Sequence, residues 1–557
     1  MSAAQKFDLV VVGAGGAGMA TALTAAASGL RALVVEKAPR FGGSTARSGG
    51  GVWIPGNHVL RRDGVVDDPE AARSYLAHIV AAAARPGDAD GAALRAAFLR
   101  HGPDMLELVE RETPLRFGWV RGYSDYYPEA PGGRPTGRSI EPRPLPSSVL
   151  GPLRSTLEPP YLGAESGLAI TQAEFRWLNL VARHPRGVMT AARVGARAVV
   201  SRVRRRELLT MGQALAAGLR AGLARHDVPV RLSTPLLELV VSDGRVVGVR
   251  IATHGGEPEV VPASRGVVLT AGGFERDETL RKRYQRQPIG TEWTVGAEAN
   301  TGDGIRAAQE LGAAVRLMDD AWWGPSVPLP RGPYFLLAER TLPGCVLVDV
   351  HGNRFVNEAA PYVDAVHAIY EGDEPRVPAW LVFDQRYRDR YLFTAKGPRQ
   401  SLPGSWYRAG VAAKSPTLAG LAATIGVPAS ALEATVARFN GFAATGKDLD
   451  FARGESAYDR YYGDPRVRPN PSLAALVKPP FHAVKIVPGD LGTKGGLVTD
   501  ERSRVLRESD GAVIPGLYAA GNTSAHVMGR TYAGPGATLG PAMTSGYLAA
   551  LDAAGAL

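Results

Sequence analysis

The strongest constraint on the fold is a glycine pattern that follows an apolar run near the start of the chain. Residues 9–12 are apolar throughout, and Gly13, Gly15 and Gly18 follow as G-x-G-x-x-G. A buried strand, a tight turn and a helix in this order hold a dinucleotide: the first Gly permits the turn, the second lets backbone approach the pyrophosphate, and the third lets the helix pack on the strand. We therefore expect the pyrophosphate at the helix N-terminus, where unpaired N–H groups attract an anion.

The next segment completes this unit. Residues 19–28 are rich in Ala and predict a helix, Gly29 ends it, and residues 31–35 predict a second buried strand. Glu36 stands at the end of that strand, where such folds place a carboxylate that accepts hydrogen bonds from a ribose diol. Strand, helix, strand and acid in register predict dinucleotide binding.

A loop rich in Gly and Ser, residues 37–57, indicates which dinucleotide is expected. NAD-binding folds continue here with another helix and strand, whereas this loop resembles the second flavin-contacting stretch of the fumarate reductase/succinate dehydrogenase flavoprotein superfamily. The matching residues are Gly43, Ser44, Thr45, Ser48, Gly49 and Gly50. The resemblance implies FAD, and because no His stands where covalent members attach the ring, it implies non-covalent FAD.

Later segments of similar character indicate a cofactor domain that is discontinuous in sequence. Residues 228–253 alternate apolar and polar residues around Asp243-Gly244, which predicts a hairpin. Residues 264–277 predict a buried strand ending in two glycines, and residues 516–525 predict a strand that runs into a Gly-Asn turn.

With 557 residues, the chain exceeds the usual size of one domain. We predict an α/β fold: a discontinuous Rossmann-like FAD-binding domain of residues 1–289 and 478–557, with an inserted α+β catalytic domain of residues 290–477. The first part carries an Arg-rich insertion near residues 145–206.

The expected FAD contacts are distributed along the whole chain. A predicted helix over residues 299–313 begins with Asn300, Thr301 and Asp303, which fit both helix capping and flavin contact. The full expected set is Gly13, Gly15, Gly16, Ala17, Gly18, Glu36, Lys37, Gly43, Ser44, Thr45, Ser48, Gly49, Gly50, Leu236, Ala271, Gly272, Asn300, Asp303, Gly521, Asn522 and Leu539.

Pieces along nearly the whole chain resemble the 3-ketosteroid Δ1-dehydrogenases. These pieces are residues 123–142, 352–364, 487–500 and 519–543. The last one contains YAGPG, in which known members use the Tyr hydroxyl and the last Gly amide to hold the steroid C3 carbonyl. By position, the resemblance assigns these roles to Tyr532 and Gly536.

Other residues of the substrate site follow from the same resemblance. Tyr126 and Tyr362 match the other two catalytic tyrosines of the family, and Phe335 matches an aromatic residue that lines the pocket. Tyr123, at the start of the first similar piece, is expected in the pocket too. Around residues 145–205 this chain is longer than the shorter family members, so no residue roles are carried over there.

The implied activity is the introduction of a C1–C2 double bond into the A ring of a 3-ketosteroid. This needs loss of a proton from C2 and of a hydride from C1 to flavin N5, and then an external electron acceptor, quinone-like or an artificial dye. A hydroxyl and a backbone N–H on the carbonyl would stabilise the developing enolate. Tyr362 would remove the proton with support from Tyr126.

A phenol is a weak base at neutral pH because its pKa is about 10. Tyr362 therefore needs help from Tyr126, from polarisation of the carbonyl or from a lowered pKa, and the sequence leaves these three open.

Three other functions compete with this one. Residues 354–358 (RFVNE) fit the R-F-x-N-E-x-x-x-R motif of the fumarate reductases, but Tyr362 replaces the final Arg, which removes both the proton donor and a carboxylate anchor. A 3-oxo-5α-steroid Δ4-dehydrogenase, acting at C4 and C5, would share the flavin and the carbonyl site. A flavin-binding scaffold or electron-transfer protein without a substrate pocket is the third alternative.

Composition and charge limit the partners. The single cysteine, Cys345, excludes an intrachain disulfide and is compatible with a reducing cytoplasm. No secretory signal or membrane-spanning apolar run is expected, and no nucleic-acid-binding module accompanies the net charge of +10. Residues 175–206 hold nine Arg and no acidic residue, which fits either a peripheral contact with an anionic membrane or a solvated helical or interdomain face.

Overall fold

The computed structural model describes residues 6–161, 168–253, 255–394 and 396–557. Residues 162–167, within the predicted insertion near 145–206, lie outside the described part. The strands are β1 (Phe7–Val12), β2 (Ala32–Val35), β3 (Val52–Trp53), β4 (Phe117–Trp119), β5 (Ser139–Pro142), β6 (Leu145–Pro146), β7 (Leu208–Leu209), β8 (Val230–Arg231), β9 (Leu236–Ser242), β10 (Arg245–Ile251), β11 (Glu259–Leu269), β12 (Val315–Arg316), β13 (Ala321–Val327), β14 (Tyr334–Phe335), β15 (Cys345–Val348), β16 (Ala379–Asp384), β17 (Ala412–Ser415), β18 (Phe481–Thr493), β19 (Gly496–Leu497), β20 (Arg504–Leu506) and β21 (Val513–Ala519).

The α-helices connect and cover these strands. They are α1 (Gly16–Ala27), α2 (Gly43–Arg47), α3 (His58–Arg62), α4 (Pro69–Ala83), α5 (Ala92–Glu112), α6 (Gln172–Leu178), α7 (Pro185–Val203), α8 (Met211–Arg225), α9 (Glu278–Tyr284), α10 (Asp303–Gln309), α11 (Tyr362–Tyr370), α12 (Gln385–Arg390), α13 (Gly404–Arg408), α14 (Leu418–Ile425), α15 (Ala429–Thr445), α16 (Ala457–Tyr461) and α17 (Leu539–Ala554). Short 3-10 helices lie at Ser147–Thr156, Thr291–Trp293 and Gly521–Thr523.

An eight-stranded sheet forms the first layer, in the order β20-β21-β11-β1-β2-β8, with β10 and β9 continuing from β11. Strand β1 pairs in parallel with β2 and with β11, and β11 pairs in parallel with β21. Strands from both ends of the chain therefore build one sheet, as predicted for a discontinuous Rossmann-like fold.

The uninterrupted apolar run in β1 reflects burial on both faces of this sheet. Leu9 and Val11 belong to one apolar cluster, whereas Val10 and Val12 belong to another. All four are almost completely buried. Alternating side chains thus enter different cores, which is why residues 9–12 of the strand are all apolar.

The predicted hairpin at Asp243-Gly244 is confirmed. Strands β9 and β10 are antiparallel, with Arg245 opposite Ser242. The two turn residues have φ of +50° and +73°, respectively, which is the left-handed pair that a two-residue type I′ turn requires.

A second, six-stranded antiparallel sheet follows the order β14-β13-β18-β16-β15, with β17 paired to β18. Helices α11 to α16 accompany it in sequence, so the predicted α+β character is confirmed. Strand β18 begins at Phe481, so this sheet also uses residues beyond 478, which the sequence analysis assigned to the cofactor domain.

One prediction about helix capping is wrong. Helix α10 begins at Asp303, and its N-cap is Gly302 with φ +77° and no side-chain capping hydrogen bond. The Asn300 amide instead donates to Ser44 Oγ (3.0 Å) and to Glu275 Oε1 (2.6 Å). A glycine fits here because this N-cap has left-handed backbone geometry.

The Arg-rich segment is mostly helical, comprising α6 and α7. Within the described ranges, no helix combines the length and the apolar character needed to cross a membrane.

Candidate active site

One large cavity brings the predicted cofactor and substrate residues together. Its volume is about 1440 Å³, larger than the roughly 300–1,000 Å³ of a typical site for one small molecule. Every predicted cofactor and substrate residue except Gly18 lines it. The cavity therefore has room for more than one ligand, and residues expected to hold the flavin share it with residues expected to hold the substrate.

The glycine turn forms one end of the cavity. Gly13 has φ +111°, and a Cβ there would lie 2.4 Å from Thr270 O. A Cβ on Gly18 would lie 2.0 Å from Gly13 O, whereas one on Gly15 would meet no protein atom within 4 Å. Gly18 thus serves helix packing and lies outside the cavity lining, while Gly15 leaves its backbone open to a ligand, as their spacing predicts.

Glu36 and Lys37 follow β2 at the same end. The Glu36 carboxylate accepts backbone hydrogen bonds from Ala14 and Ala38, both at 2.8 Å. Burial raises the pKa of Glu36, and these two bonds oppose the shift. Lys37 Nζ donates to Thr301 Oγ1 and Asp303 Oδ2, both at 2.5 Å, so Asp303 reaches the cavity as the partner of a lysine.

The Gly/Ser-rich loop joins the glycine turn to the rest of the cavity. Thr45 Oγ1 accepts a hydrogen bond from Gly16 N at 2.9 Å, and Ser44 Oγ accepts one from Ala297 N at 3.1 Å. Gly50 has φ +67°, and a Cβ there would lie 2.2 Å from Met211 C. The hydroxyls hold the loop in place, and a side chain at Gly50 would collide with the backbone of α8.

Three phenol rings meet at the other end of the cavity. The ring centroids of Tyr126, Tyr362 and Tyr532 are 5.1–5.5 Å apart in every pair, with edge-to-face geometry. Each residue is at most 5% exposed. Tyr362 is the first residue of α11 and directly follows Pro361. Residues distant in sequence are thus brought into one contact group.

The YAGPG loop that holds Tyr532 is fixed by hydrogen bonds from distant segments. The backbone N–H of Tyr126 and the hydroxyl of Tyr75 both donate to Ala533 O, at 3.1 and 2.6 Å. Ser139 Oγ donates to Pro535 O at 2.6 Å, and the backbone N–H of Trp53 donates to Gly536 O at 3.1 Å. Tyr126 is therefore tied to the same loop as Tyr532.

Gly536 brings its peptide close to the Tyr532 hydroxyl. It has φ +93°, and a Cβ there would lie 2.4 Å from Gly51 C, so only glycine fits. Hydrogen bonding from the Gly536 backbone lowers the pKa of Tyr532, opposing the larger rise that burial causes. Thr538 Oγ1 donates to Tyr532 Oη at 3.0 Å. A phenol hydroxyl and a backbone amide therefore face one small region of the cavity.

The pKa of Tyr362 is shifted against a role as a base. Burial raises it well above its ordinary value, and the neighbouring Tyr532 raises it further. Hydrogen bonding by the Tyr126 hydroxyl opposes this rise. In the protein alone, Tyr126 is thus the group that favours the phenolate form of Tyr362.

Phe335 and Tyr123 extend this aromatic wall. The Phe335 ring packs edge-on against Tyr362, with centroids 5.1 Å apart. Tyr123 is stacked on Tyr461 at 4.3 Å, and its hydroxyl accepts a hydrogen bond from Tyr462 at 3.1 Å.

Sequence reasoning missed the tyrosines of α16 and its C-cap. Tyr458 packs 4.7 Å from Tyr126, and Tyr461 and Tyr462 both contact Tyr123. The three stand three and four positions apart, so one helical face presents them together. That spacing was the signal available in the sequence.

The RFVNE motif lies apart from the chemistry. Arg354 pairs with Glu358 (2.8 Å) and Asp448 (2.7 Å), and Arg453 pairs with Glu358 at 2.8 Å. None of these four residues lines the cavity. The motif forms a buried ion cluster behind α11, and Tyr362 is the position that reaches the cavity.

Similarity to known proteins identifies the family of the chain. The model of the FAD binding domain family matches residues 8–539. A 3-oxosteroid 1-dehydrogenase from Mycolicibacterium smegmatis is 55% identical over 99% of this chain and 97% of its own. The chain belongs to the 3-oxosteroid 1-dehydrogenase family.

Solved structures extend the comparison to three dimensions. The crystal structure of a 3-ketosteroid Δ1-dehydrogenase from Sterolibacterium denitrificans, in complex with 1,4-androstadiene-3,17-dione, is similar with a TM-score of 0.93 and 39% identity, covering 99% of this chain and 100% of that one. A 3-ketosteroid Δ4-(5α)-dehydrogenase from Rhodococcus jostii RHA1 has a TM-score of 0.68 and 22% identity, covering 100% of this chain and 98% of that one. The second likeness concerns the fold alone.

Proposed function

We propose that the protein is an FAD-dependent 3-ketosteroid Δ1-dehydrogenase. The observation that carries the proposal is the meeting of Tyr126, Tyr362, Tyr532 and the Gly536 amide in the same cavity as the dinucleotide-binding turn. The family relatives named above act on 3-oxosteroids, and a cavity of mainly apolar and aromatic lining suits a flat apolar substrate.

The residues present fit FAD. The open space beside Gly15 and Gly43, where a Cβ would meet no protein atom within 4 Å, leaves backbone accessible to the cofactor. We assign the pyrophosphate to the N-terminus of α1 and a ribose to Glu36. Among the described residues that line the cavity there is no His or Cys, so we propose non-covalent binding. Bound FAD supplies the hydride acceptor of the reaction.

The carbonyl end of the substrate is assigned to Tyr532 and Gly536. A hydroxyl and an N–H directed at the C3 oxygen stabilise negative charge as it develops there, and both are already placed before substrate binds. Because Thr538 donates to the Tyr532 oxygen, the phenol proton stays available for the substrate.

Tyr362 is assigned the removal of the C2 proton. Because its pKa is raised in the free protein, Tyr362 must first release its hydroxyl proton to solvent when substrate binds, and the resulting phenolate then accepts the C2 proton. Polarisation of the C3 carbonyl acidifies the C2 proton, and hydrogen bonding by Tyr126 stabilises the phenolate. The first effect acts on the proton donor, steroid C2, and the second acts on the proton acceptor, Tyr362.

The decisive experiment mixes the purified yellow holoenzyme anaerobically with androst-4-ene-3,17-dione. Bleaching of the flavin together with a 1,4-diene product supports the proposal. If 3-ketosteroids cause no bleaching, the proposal is wrong. Bleaching only by 5α-saturated 3-ketosteroids, with a 4-ene product, would assign the Δ4 reaction at C4 and C5 instead. If steroids cause no bleaching and fumarate restores the yellow colour of chemically reduced enzyme, the protein is a dicarboxylate reductase.

Turnover requires an external electron acceptor. We propose a quinone-like acceptor, which an artificial dye replaces in the assay. Adding a soluble quinone or dye to the bleached enzyme should restore the yellow colour, and persistence of the reduced spectrum with both would contradict this.

We further propose that the Arg-rich segment makes a peripheral contact with an anionic membrane surface. Helix α7 exposes Met189 (61%), Val199 (62%) and Val203 (78%). Arg204 and Arg205, just beyond α7, are exposed too. Exposed apolar and basic side chains on one amphipathic helix are the combination that binds such surfaces.

Vesicle sedimentation tests this contact. The holoenzyme should sediment with phosphatidylglycerol vesicles at low salt and remain free with phosphatidylcholine vesicles. Arg204→Gln with Arg205→Gln should weaken binding about tenfold or more, at about 1 kcal/mol per Arg. Arg61→Gln with Arg62→Gln, two exposed arginines on α3, is the matched control. Absence of sedimentation with anionic vesicles would identify the segment as a solvated face.

A further inference from the structure

A buried lysine lies behind the carbonyl site. Lys494 is completely buried, and its Nζ lies 3.2 Å from Asp320 Oδ2. It also donates to Thr531 O at 3.2 Å, on the residue directly before Tyr532. Lys494 does not line the cavity, so it does not contact a ligand bound there. Burying an ammonium group has a desolvation cost, and its other contacts indicate an indirect role.

The third neighbour of the lysine is an indole ring that reaches the cavity. Nζ lies 4.7 Å from the centroid of the Trp322 ring, within cation–π distance. Trp322 packs on Tyr532 with centroids 4.8 Å apart and meets His526 edge-on at 4.5 Å. Lys494 therefore contacts both the ring that supports Tyr532 and the backbone that leads to Tyr532.

The indole nitrogen connects this ring to the cofactor side. Trp322 Nε1 donates to Asn522 Oδ1 at 3.1 Å. Asn522 lies in the 3-10 turn after β21 and is one of the residues expected to contact the flavin. One rigid side chain thus connects the turn expected to hold the flavin with the hydroxyl expected to hold the substrate carbonyl.

Surrounding polar groups fix the lysine in turn. Asp320 Oδ1 accepts hydrogen bonds from Trp323 Nε1 (2.6 Å) and His367 Nε2 (2.9 Å). The carboxylate therefore has its position set before it pairs with Lys494. Successive side chains of β13 point to opposite sides of the strand. Trp322 therefore faces the cavity, whereas Trp323 hydrogen-bonds the Asp320 carboxylate that pairs with Lys494.

We propose that Trp322 is a positioning residue that aligns the Tyr532 hydroxyl with the flavin-binding turn, and that Lys494 clamps its ring. This inference rests on the proposed function. The alignment matters most when charge develops on the substrate oxygen, because misplacement of one donor by a fraction of an ångström weakens enolate stabilisation more than ground-state binding.

The test is a double-mutant cycle on the holoenzyme, with steady-state turnover of androst-4-ene-3,17-dione in the presence of an artificial dye as the readout. Trp322→Phe keeps an aromatic ring but loses the N–H to Asn522. It should lower kcat roughly fivefold to tenfold and leave KM within about twofold, while Trp322→Phe added to Tyr532→Phe should cost less than about twofold more. Trp380→Phe, at a buried indole 5.5 Å from Lys485 and outside the cavity, is the matched control.

Several results would overturn the inference. Equal losses from Trp322→Phe in both backgrounds would show that the ring acts independently of Tyr532, and a rise in KM alone would make it an ordinary binding contact. Lys494→Met removes the ammonium group that contacts the Trp322 ring. It should reproduce the kcat loss with the FAD content unchanged, and full activity would refute the clamp. If wild-type flavin is not reduced by the steroid at all, the proposed function fails instead.

Discussion

Tyr532→Phe tests the carbonyl site most directly. The substitution removes one of the two donors assigned to the C3 oxygen and leaves the Gly536 amide in place. Loss of a single oxyanion-hole donor costs about 10²–10³-fold in kcat, or roughly 3–4 kcal/mol. Since the same hydroxyl binds the neutral carbonyl more weakly than the enolate, kcat should fall much more than KM rises.

The fold should tolerate this change. Phe keeps the ring contacts with Tyr126, Tyr362 and Trp322, at centroid distances of 4.8–5.5 Å. Within the protein, the Thr538 hydroxyl and the Gly536 backbone lose the phenol oxygen as an acceptor, a cost of roughly 1–3 kcal/mol. This is small beside the roughly 5–15 kcal/mol that stabilises a typical domain.

The measurement is steady-state turnover of androst-4-ene-3,17-dione with an artificial dye at several steroid concentrations, together with anaerobic stopped-flow reduction of the flavin. Tyr518→Phe is the control, because its hydroxyl donates to Asp552 Oδ2 at 3.0 Å outside the cavity. A Tyr532→Phe rate within about threefold of wild type, less than 1 kcal/mol, would refute the carbonyl role of Tyr532.

Three further predictions follow from other parts of the site. Tyr362→Phe should retain FAD and bind steroid but lose about 10²–10⁴-fold in flavin reduction, the usual contribution of a general base; near-normal reduction would remove it as the base. Gly15→Val should abolish FAD binding and leave the thermal stability of the apoprotein unchanged, because the added side chain enters open space in the cavity. The control Gly441→Val, on the exposed face of α15, should keep its FAD. A Gly15→Val protein that is purified yellow would contradict the cofactor assignment. Burial beside Asp490 raises the pKa of Glu275 from 4.5 to about 7 in the folded protein. The contribution of Glu275 to the free energy of unfolding is therefore fully present below pH 4.5 and is lost as the pH rises through about 7, a loss of up to about 3 kcal/mol. Glu275→Gln should therefore show a flatter dependence of unfolding free energy on pH between about 4.5 and 8, and parallel denaturation curves for variant and wild type would contradict this.

The cofactor end could be predicted from the sequence because its constraints are local. Gly13, Gly15 and Gly18 all lie in one strand–turn–helix unit, so their spacing in the sequence is enough to predict the turn. The capping prediction at α10 was wrong for the complementary reason. Asn300 has the local character of a cap, but its amide donates instead to Ser44 and Glu275, residues that only the tertiary fold brings near.

The substrate end was predictable only through resemblance. Tyr126, Tyr362 and Tyr532 are distant in sequence, and no periodicity relates them. Their meeting depends on hydrogen bonds such as Tyr126 N–H to Ala533 O (3.1 Å), which have no signature in the sequence. Neither Trp322 nor Lys494 was predicted as a site residue, because an apolar ring is usually part of the core and a single lysine is usually at the surface until their contacts are known.

The ion cluster of the RFVNE motif explains how one scaffold could serve different chemistry. Arg354, Glu358, Asp448 and Arg453 neutralise one another in the interior, and removing one member would leave a buried charge unpaired at a cost of several kcal/mol. The stability of the fold therefore constrains which residues can occupy those four positions. Tyr362, at the last position of the longer R-F-x-N-E-x-x-x-R motif, begins α11 and lines the cavity instead. A change there alters the group presented to the cavity without disturbing the cluster, so the arginine of the fumarate reductase motif and the tyrosine to which we assign proton removal are alternatives on the same framework.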